Sequence, residues 1–263
     1  MTSDYSQPAV ELTSGASMPL LGFGTWQIED SEATASTEFA LEAGYRHIDT
    51  ATGYGNEAGI GKALASAALP RDSVFLTTKL PPDHGGRERR TLDESLTKLG
   101  VDRVDLWLVH WPPNGEATPA VWEQVVKAQE EGLATSIGVS NYSLDQIDEL
   151  ISATGVAPAV NQIKWGPTLY DPALVAGLEE RGVVLEGYSP FKVSNLDDEA
   201  LVSIAQAHDA TTAQVIVAWH LAHGFVVIPK SAQRERIVAN AAGAGVDLTT
   251  DEVAAIDGLS SVR

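Results

Sequence analysis

A chain of 263 residues with 44% apolar content can bury a full core, and its length is close to that of one (β/α)8 barrel, roughly 250 residues. Seventeen basic residues against 36 acidic ones leave a net charge of −19, which repels nucleic acid and anionic membrane surfaces and argues against either as a partner. The absence of cysteine excludes disulfides, thiolate metal sites and cysteine nucleophiles. No apolar run approaches the ~20 residues of a membrane span. The first residues, "MTSDYSQPAVELTSG", lack a basic segment followed by an apolar one, so no secretory signal is expected. A cytoplasmic monomer acting on a small molecule is the expectation.

In chain order, a hairpin comes first, from Val10–Leu12 through "TSGAS" towards Met18. Eight apolar, β-branched runs follow: Leu20–Trp26, Arg46–Thr50, Val74–Leu80, Val104–His110, Ala134–Ser140, Ala157–Ile163, Val183–Ser189 and Phe225–Lys230. The segments between them carry helix signals. Thr118-Pro119 and Asp171-Pro172 each set a capping side chain before a proline at the first helical position. Ser143-x-x-Gln146 and Thr249-x-x-Glu252 read as capping boxes, and Gly100 and Gly132 close helices before strands. The connection from the seventh strand to the eighth is longer, with helical patterns over Asp197–His208 and Thr212–Ala222. Strict alternation of strand and helix implies a parallel sheet covered by helices. Eight strands in this length predict an α/β fold, a (β/α)8 TIM barrel with an N-terminal β-hairpin cap, as one domain over residues 1–263. Gly22-x-Gly24 has two glycines of a dinucleotide fingerprint, but Gln27 stands where the third belongs and no helix begins there, so a Rossmann unit is excluded.

In such a barrel, functional side chains lie at the C-terminal ends of the strands and in the loops after them. The predicted ends carry Asp49 and then Tyr54, Lys79, His110, Ser140-Asn141, Gln162, Tyr188-Ser189 and Lys230. Each taken singly has an ordinary explanation: a cap, a loop aromatic, a solvated lysine, a rim histidine. Four such coincidences on neighbouring strand ends are harder to accept, because alternation sends Asp49, Lys79 and His110 towards one point. A tyrosine ordinarily titrates near 10, and a lysine ammonium beside it pulls that value down towards useful acid strength. An aspartate keeps the lysine charged, and a histidine can orient a carbonyl oxygen. Asp49, Tyr54, Lys79 and His110 therefore make a carbonyl-protonating device that lacks only a hydride donor, which no side chain supplies.

The ordered set "GYRHIDTATGYGNE", "TTKL", "HWP", "IGVSNY", "NQ", "GYSP" and "IPKSAQRERIVAN" resembles the aldo-keto reductases essentially end to end, from Met18 to Leu259. It is most similar to the bacterial branch of 2,5-diketogluconate and small-aldehyde reductases. The resemblance implies NADPH/NADP+ lying across the barrel mouth, with Asp49, Tyr54, Lys79 and His110 catalytic and Tyr54 the general acid. It places Gly24, Thr25 and Trp26, with Asp49, at the nicotinamide end. Ser140, Asn141 and Gln162 would bond the carboxamide, and Tyr188 would stack on the ring. Ser189 and Phe191 would line the pyrophosphate path, and Lys230, Ser231, Arg236 and Asn240 would hold the 2′-phosphate and adenine. Two cations so placed suit a 2′-phosphate in a protein that otherwise repels anions. Trp26, Tyr54, His110 and Trp111 would meet a small carbonyl substrate.

Three departures from the family pattern stand out. Ala239 replaces a glutamate common before Asn240, "KWGP" (Lys164 to Pro167) replaces an acidic-x-His-Pro pattern, and the sequence stops at "GLSSVR", short of a longer tail. With a short loop after His110, an open mouth is expected. Two other readings compete. A metal-dependent hydrolase could use His47, Asp49 and His110, although Lys79 would set a cation among the ligands, so no metal is expected. A non-catalytic NADPH-binding or sensor subunit would need none of the four converging residues.

Overall fold

The computed structural model describes residues 8–261. Strands β1 (Ala9–Glu11) and β2 (Ser17–Pro19) form the antiparallel hairpin, with Val10 opposite Met18. The barrel strands are β3 (Phe23–Gly24), β4 (His47–Asp49), β5 (Phe75–Leu80), β6 (Val104–Val109), β7 (Ala134–Ser140), β8 (Val160–Lys164), β9 (Val184–Tyr188) and β10 (Val226–Val227). They lie side by side in chain order, all parallel. Parallel bridges Leu21–Val227 and Gly24–Lys230 join the two outer strands and close the ring. The architecture is a (β/α)8 barrel.

Helices α1 (Asp30–Glu42), α2 (Glu57–Ser66), α3 (Glu88–Leu99), α4 (Pro119–Glu130), α5 (Leu144–Thr154) and α6 (Pro172–Glu180) connect successive strands. Helices α7 (Glu199–Ala207) and α8 (Thr212–Ala222) fill the long connection before β10, and α9 (Arg234–Ala242) and α10 (Thr250–Asp257) follow it. Strand alternation divides the apolar residues into two cores. Ile48, Leu76, Trp107, Val109, Ile137 and Val139 face outward into the layer between sheet and helices. Phe75, Leu106, Leu108, Val160 and Val226 face inward and pack with Leu12, Met18 and Leu20, so the hairpin plugs the bottom of the barrel. Each such fully buried side chain contributes roughly 1.5–3 kcal/mol. With the lower interior filled by apolar groups, the polar side chains of the same strands are confined to the upper interior and the mouth.

The closing edge explains the two glycines read above. A Cβ on Gly24 would lie 2.6 Å from the Ile228 carbonyl oxygen, and one on Gly22 would lie 2.6 Å from the His47 ring. Gly24 is bare because the chain at Ile228 passes so close, and Gly22 because the His47 ring and the Ile228 side chain fill the space beside it. Their amides bond across the gap, Gly22 to Val227 O at 2.9 Å and Gly24 to Pro229 O at 3.2 Å.

The capping boxes at Ser143 and Thr249 form as read, and Asp171 accepts from the Ala173 and Leu174 amides. Thr118 does not cap α4. Its backbone is left-handed (φ 54°) and its hydroxyl bonds Glu116 O instead. Gly100 and Gly132 both take left-handed backbone (φ 68° and 75°) where their helices stop.

Candidate active site

Strand β4 ends at Asp49 and β5 carries Lys79 one residue from its end, both pointing into the upper barrel, where both are fully buried. Lys79 Nζ donates to Asp49 Oδ1 at 2.7 Å, Asp49 Oδ2 at 2.8 Å and the Thr50 carbonyl at 3.0 Å. It also lies 3.3 Å from Tyr54 Oη. Tyr54 is brought there by a single 3-10 turn, Thr52–Tyr54, which Gly55 ends in left-handed backbone (φ 72°). The turn is fixed by the Thr52 hydroxyl, which bonds the Lys79 carbonyl at 3.0 Å. His110 follows β6 and meets the Tyr54 ring edge-on, with 5.5 Å between ring centres. The four residues singled out at the strand ends thus form one unit.

The charges in this unit are set by burial and by contact. Burial alone would discharge Lys79, but the Asp49 carboxylate and Tyr54 outweigh it and hold the ammonium well above its ordinary range. Asp49 is itself pushed up by burial, while Lys79 and the Gln162 amide, 2.8 Å from Oδ2, pull it down. Two short contacts to one ammonium keep the pair ionic. For Tyr54 the sequence predicts a net fall in pKa. Lys79 does pull it down, but burial pushes it up by more and Asp49 adds to the rise, so the phenol stays protonated. His110 is pushed down to about 3 by burial and by Lys79, and is therefore neutral at neutral pH.

Above this unit lies a cleft of about 620 Å3. Trp26 and Trp111 flank its mouth, each about half exposed, and Trp26 leans on Tyr54 with 5.0 Å between rings. Gly24, Ser140, Asn141 and Gln162 line the floor, with Tyr188, Ser189 and Phe191 beside them. Lys230, Ser231 and Arg236 line it as well, Lys230 bridging to Gly24. Three of the expected residues do not reach the wall. Thr25 is buried, its hydroxyl on the Asp49 carbonyl at 2.9 Å; Lys79 is buried with Asp49; and Asn240 is buried within α9. The carboxamides are pre-positioned: Tyr188 Oη donates to Asn141 Oδ1 at 2.9 Å, and Asn141 Nδ2 donates to Ser140 Oγ at 2.9 Å. Asn141 (φ 64°) and Ser189 (φ 55°) both hold left-handed backbone immediately after strands, a strain typical of ligand-contact loops.

Several cleft residues escape the reading of strand ends. Lys192, in the loop after β9, is a third exposed cation lining the cleft, besides Lys230 and Arg236. Its only signal was a lysine one residue beyond Phe191. Gln27, Ile228 and Gln233 also line the cleft. Of the departures, Gly166 has a clear purpose. A Cβ there would meet Val193 Cγ2 at 2.9 Å and the Pro190 carbonyl oxygen at 3.1 Å, so its bareness lets the loop after β9 fold close. Trp165 beside it is buried in the outer core, Lys164 is exposed at the end of β8, and the Ala239 carbonyl accepts from Gln214 at 3.0 Å. Val262 and Arg263, at the sequence end read above, lie outside the described residues. Among the described residues no three His, Asp or Glu side chains are grouped to hold a metal ion, and none of the helices is long and apolar enough to cross a membrane. A second hollow, about 730 Å3, lies on the outer face of α3, walled by ion-paired side chains such as Arg90 and Glu94. Its one buried charged side chain, Glu88, is already engaged by the Gly86 amide at 2.8 Å.

The aldo/keto reductase family model matches residues 20–261. An aldo-keto reductase of Mycolicibacterium vanbaalenii is 44% identical, the match covering 98% of this chain and 94% of that protein. The methylglyoxal reductase DkgA of Yersinia pestis is 41% identical over 95% of this chain and 92% of its own length. Among solved structures, an aldo/keto reductase from Brucella melitensis superposes with a TM-score of 0.92 at 40% identity, covering 97% of this chain and all (100%) of that one. A Bombyx mori aldo-keto reductase in complex with NADP gives 0.89 at 32% identity, covering 98% and 94%.

Proposed function

Since the chain belongs to the aldo/keto reductase family, we propose that it reduces the carbonyl group of small aldehydes, ketones or dicarbonyls with NADPH, and that Tyr54 is the general acid. The observation that carries this reading is the buried Lys79 ammonium, bonded to both Asp49 oxygens and set 3.3 Å from Tyr54 Oη at the cleft floor.

NADPH, when bound, supplies a hydride to the carbonyl carbon. The chain's own residues supply the proton and the orientation. Tyr54 Oη gives its proton to the carbonyl oxygen as the alcohol forms. Its raised pKa keeps the phenol protonated beforehand, and Lys79 stabilises the phenolate left afterwards. Asp49 holds Lys79 charged, and Gln162 fixes Asp49. Neutral His110 directs the substrate oxygen towards Tyr54. The donor set of the cleft fits the cofactor. Lys230, Arg236 and Lys192 put three cations in the cleft of a molecule carrying −19, which suits the 2′-phosphate and pyrophosphate. Ser140, Asn141 and the free oxygen of Gln162 suit the carboxamide, with Tyr188 beside the ring, Ser189 and Phe191 along the pyrophosphate and Ser231 by the adenine, while Thr25 and Asn240 stand behind the wall. Trp26 and Trp111 leave an open aromatic mouth, which suits small substrates with modest affinity. The methylglyoxal reductase relative supports methylglyoxal as the first substrate to try.

The test is NADPH oxidation by a panel of aldehydes and dicarbonyls, with Tyr54→Phe alongside. We expect kcat to fall by the ~10²–10⁴-fold of a lost general acid while NADPH still binds, read by fluorescence titration. Turnover of the variant near the wild-type rate would remove Tyr54 from the mechanism, and no oxidation with any carbonyl would remove the reductase reading.

A further inference from the structure

The mechanism above leaves a carboxyl inside the barrel unused. Glu186 lies on β9, two residues before Tyr188, and is fully buried. Neither of its oxygens has a partner in hydrogen-bond geometry, although the Gln162 amide is near enough to pull its pKa down. A buried carboxylate without donors is costly, and the usual escape is to stay protonated.

The surroundings of Glu186 favour that escape. In register, β8 sets Gln162 and β10 sets Val226 beside it, neither of them charged. Across the interior, β4 contributes His47 and Asp49, β5 contributes Lys79, and Tyr54 comes from the turn after β4. His47 decides the matter by its tautomer. Its Nδ1 lies 3.3 Å from the Pro19 carbonyl, which can only accept, so Nδ1 carries the proton. Burial then keeps the ring neutral, with its pKa pushed down to about 3. The Nε2 lone pair consequently faces Thr77 Oγ1 at 3.3 Å and Glu186 Oε1 at 3.7 Å. A carboxylate in that place would oppose a lone pair, whereas a carboxylic acid complements it.

We propose that Glu186 is a positioning residue that works as a neutral carboxylic acid, leaving Asp49 the sole carboxylate acting on Lys79 and Tyr54. The proposal rests on Tyr54 being the general acid. While Glu186 is protonated, the buried unit of Asp49 and Lys79 is electrically balanced. Once it ionises, a second negative charge acts on Tyr54, pushes the phenol further up and makes it a poorer proton donor. Burial first, and Asp49 second, push Glu186 itself up to about 8. Reductive turnover should therefore decline from about that pH, well before Tyr54 loses its own proton, because Tyr54 titrates above its ordinary 10.0.

Two measurements test this. The first is infrared titration of protein carrying isotope-labelled glutamate, which needs no turnover. We expect a carboxylic-acid carbonyl band at neutral pH that fades through about 8 and is missing in Glu186→Gln. The second is kcat against pH with saturating NADPH and methylglyoxal, each variant normalised to its own plateau. The basic limb should move upward in Glu186→Gln, towards the titration of Tyr54. An ionised Glu186 at neutral pH, or a basic limb unmoved by the substitution, would overturn the proposal. If Glu186→Gln does not fold, the wild-type band and its titration decide the charge state alone. If the protein reduces no carbonyl while the acid band is present, the reductase reading fails and the positioning role fails with it, a result distinct from an ionised Glu186.

Discussion

Arg236 shows what one exposed side chain can decide. It lines the cleft from α9 and, with Lys230, is proposed to hold the phosphate that distinguishes NADPH from NADH. A charge-assisted hydrogen bond contributes ~1.5–3 kcal/mol, so Arg236→Ala should weaken NADPH binding by roughly tenfold or more and leave NADH binding little changed. Fluorescence titration of both cofactors on both proteins checks this, and an equal loss for the two would contradict the assignment. Residues of this kind are legible in sequence because a cation in an acidic chain, next to a strand end, stands out. Asp49, Tyr54, Lys79 and His110 are legible for a different reason, as polar side chains gathered at the ends of neighbouring strands. Glu186 is not: a single acid inside "VVLEGYS" looks like a solvent-facing position until the strand is closed into a ring and that face turns inward. Lys192 is missed because the loop after β9 gives no periodicity from which to infer where its side chain points.

At the level of elements, the middle strands were read most accurately. Ala134–Ser140 is reproduced as β7 without change, and Val104–His110 loses only its last residue. The outermost runs shrink most, from Leu20–Trp26 to the two residues of β3 and from Phe225–Lys230 to the two of β10. An apolar pattern reports burial, and both runs are buried, but regular pairing there is limited to the few bonds of the closing edge. Helix starts show a related limit. Asp171 before its proline caps α6, while Thr118 in the same setting does not, because its backbone is left-handed and its hydroxyl bonds Glu116 O. A third capping box, Thr211 with Gln214, starts α8 and follows the same sequence rule as the two recognised beforehand.

For the whole molecule, the buried titratable groups set how stability varies with pH. His47 and His110 are pushed down from 6.5 to about 3, and His220 to about 4, by burial first in every case. Their neutral forms favour the folded state, so their contribution is complete above the unfolded value of 6.5 and is lost as the pH falls towards 3. Glu186 has the opposite sign. Its contribution is complete below 4.5 and is lost as the pH rises through about 8. Three histidines outweigh one glutamate between these limits, so the melting temperature should peak near pH 6.5 and decline on both sides. Thermal melts across the range check this. In Glu186→Gln the decline on the alkaline side should flatten, and a melting temperature that keeps rising above neutrality would contradict the assignment.

The narrow edge between β3 and β10 makes the barrel a clasped ring. Leu20, Gly22 and Gly24 form one lip and Val227 to Lys230 the other, and a few amide bonds hold them together. Gly24 and Lys230, which face each other across the clasp, also belong to the cleft in which the cofactor is proposed to lie. A ligand spanning both would fasten the ring as well as fill the cleft, because anything that binds only the closed form stabilises it by mass action. Local opening would in turn release the ligand without unfolding β5 and β6. Amide exchange reads this directly: Gly22 and Val227 should exchange before the amides of β5, and NADPH should slow them most.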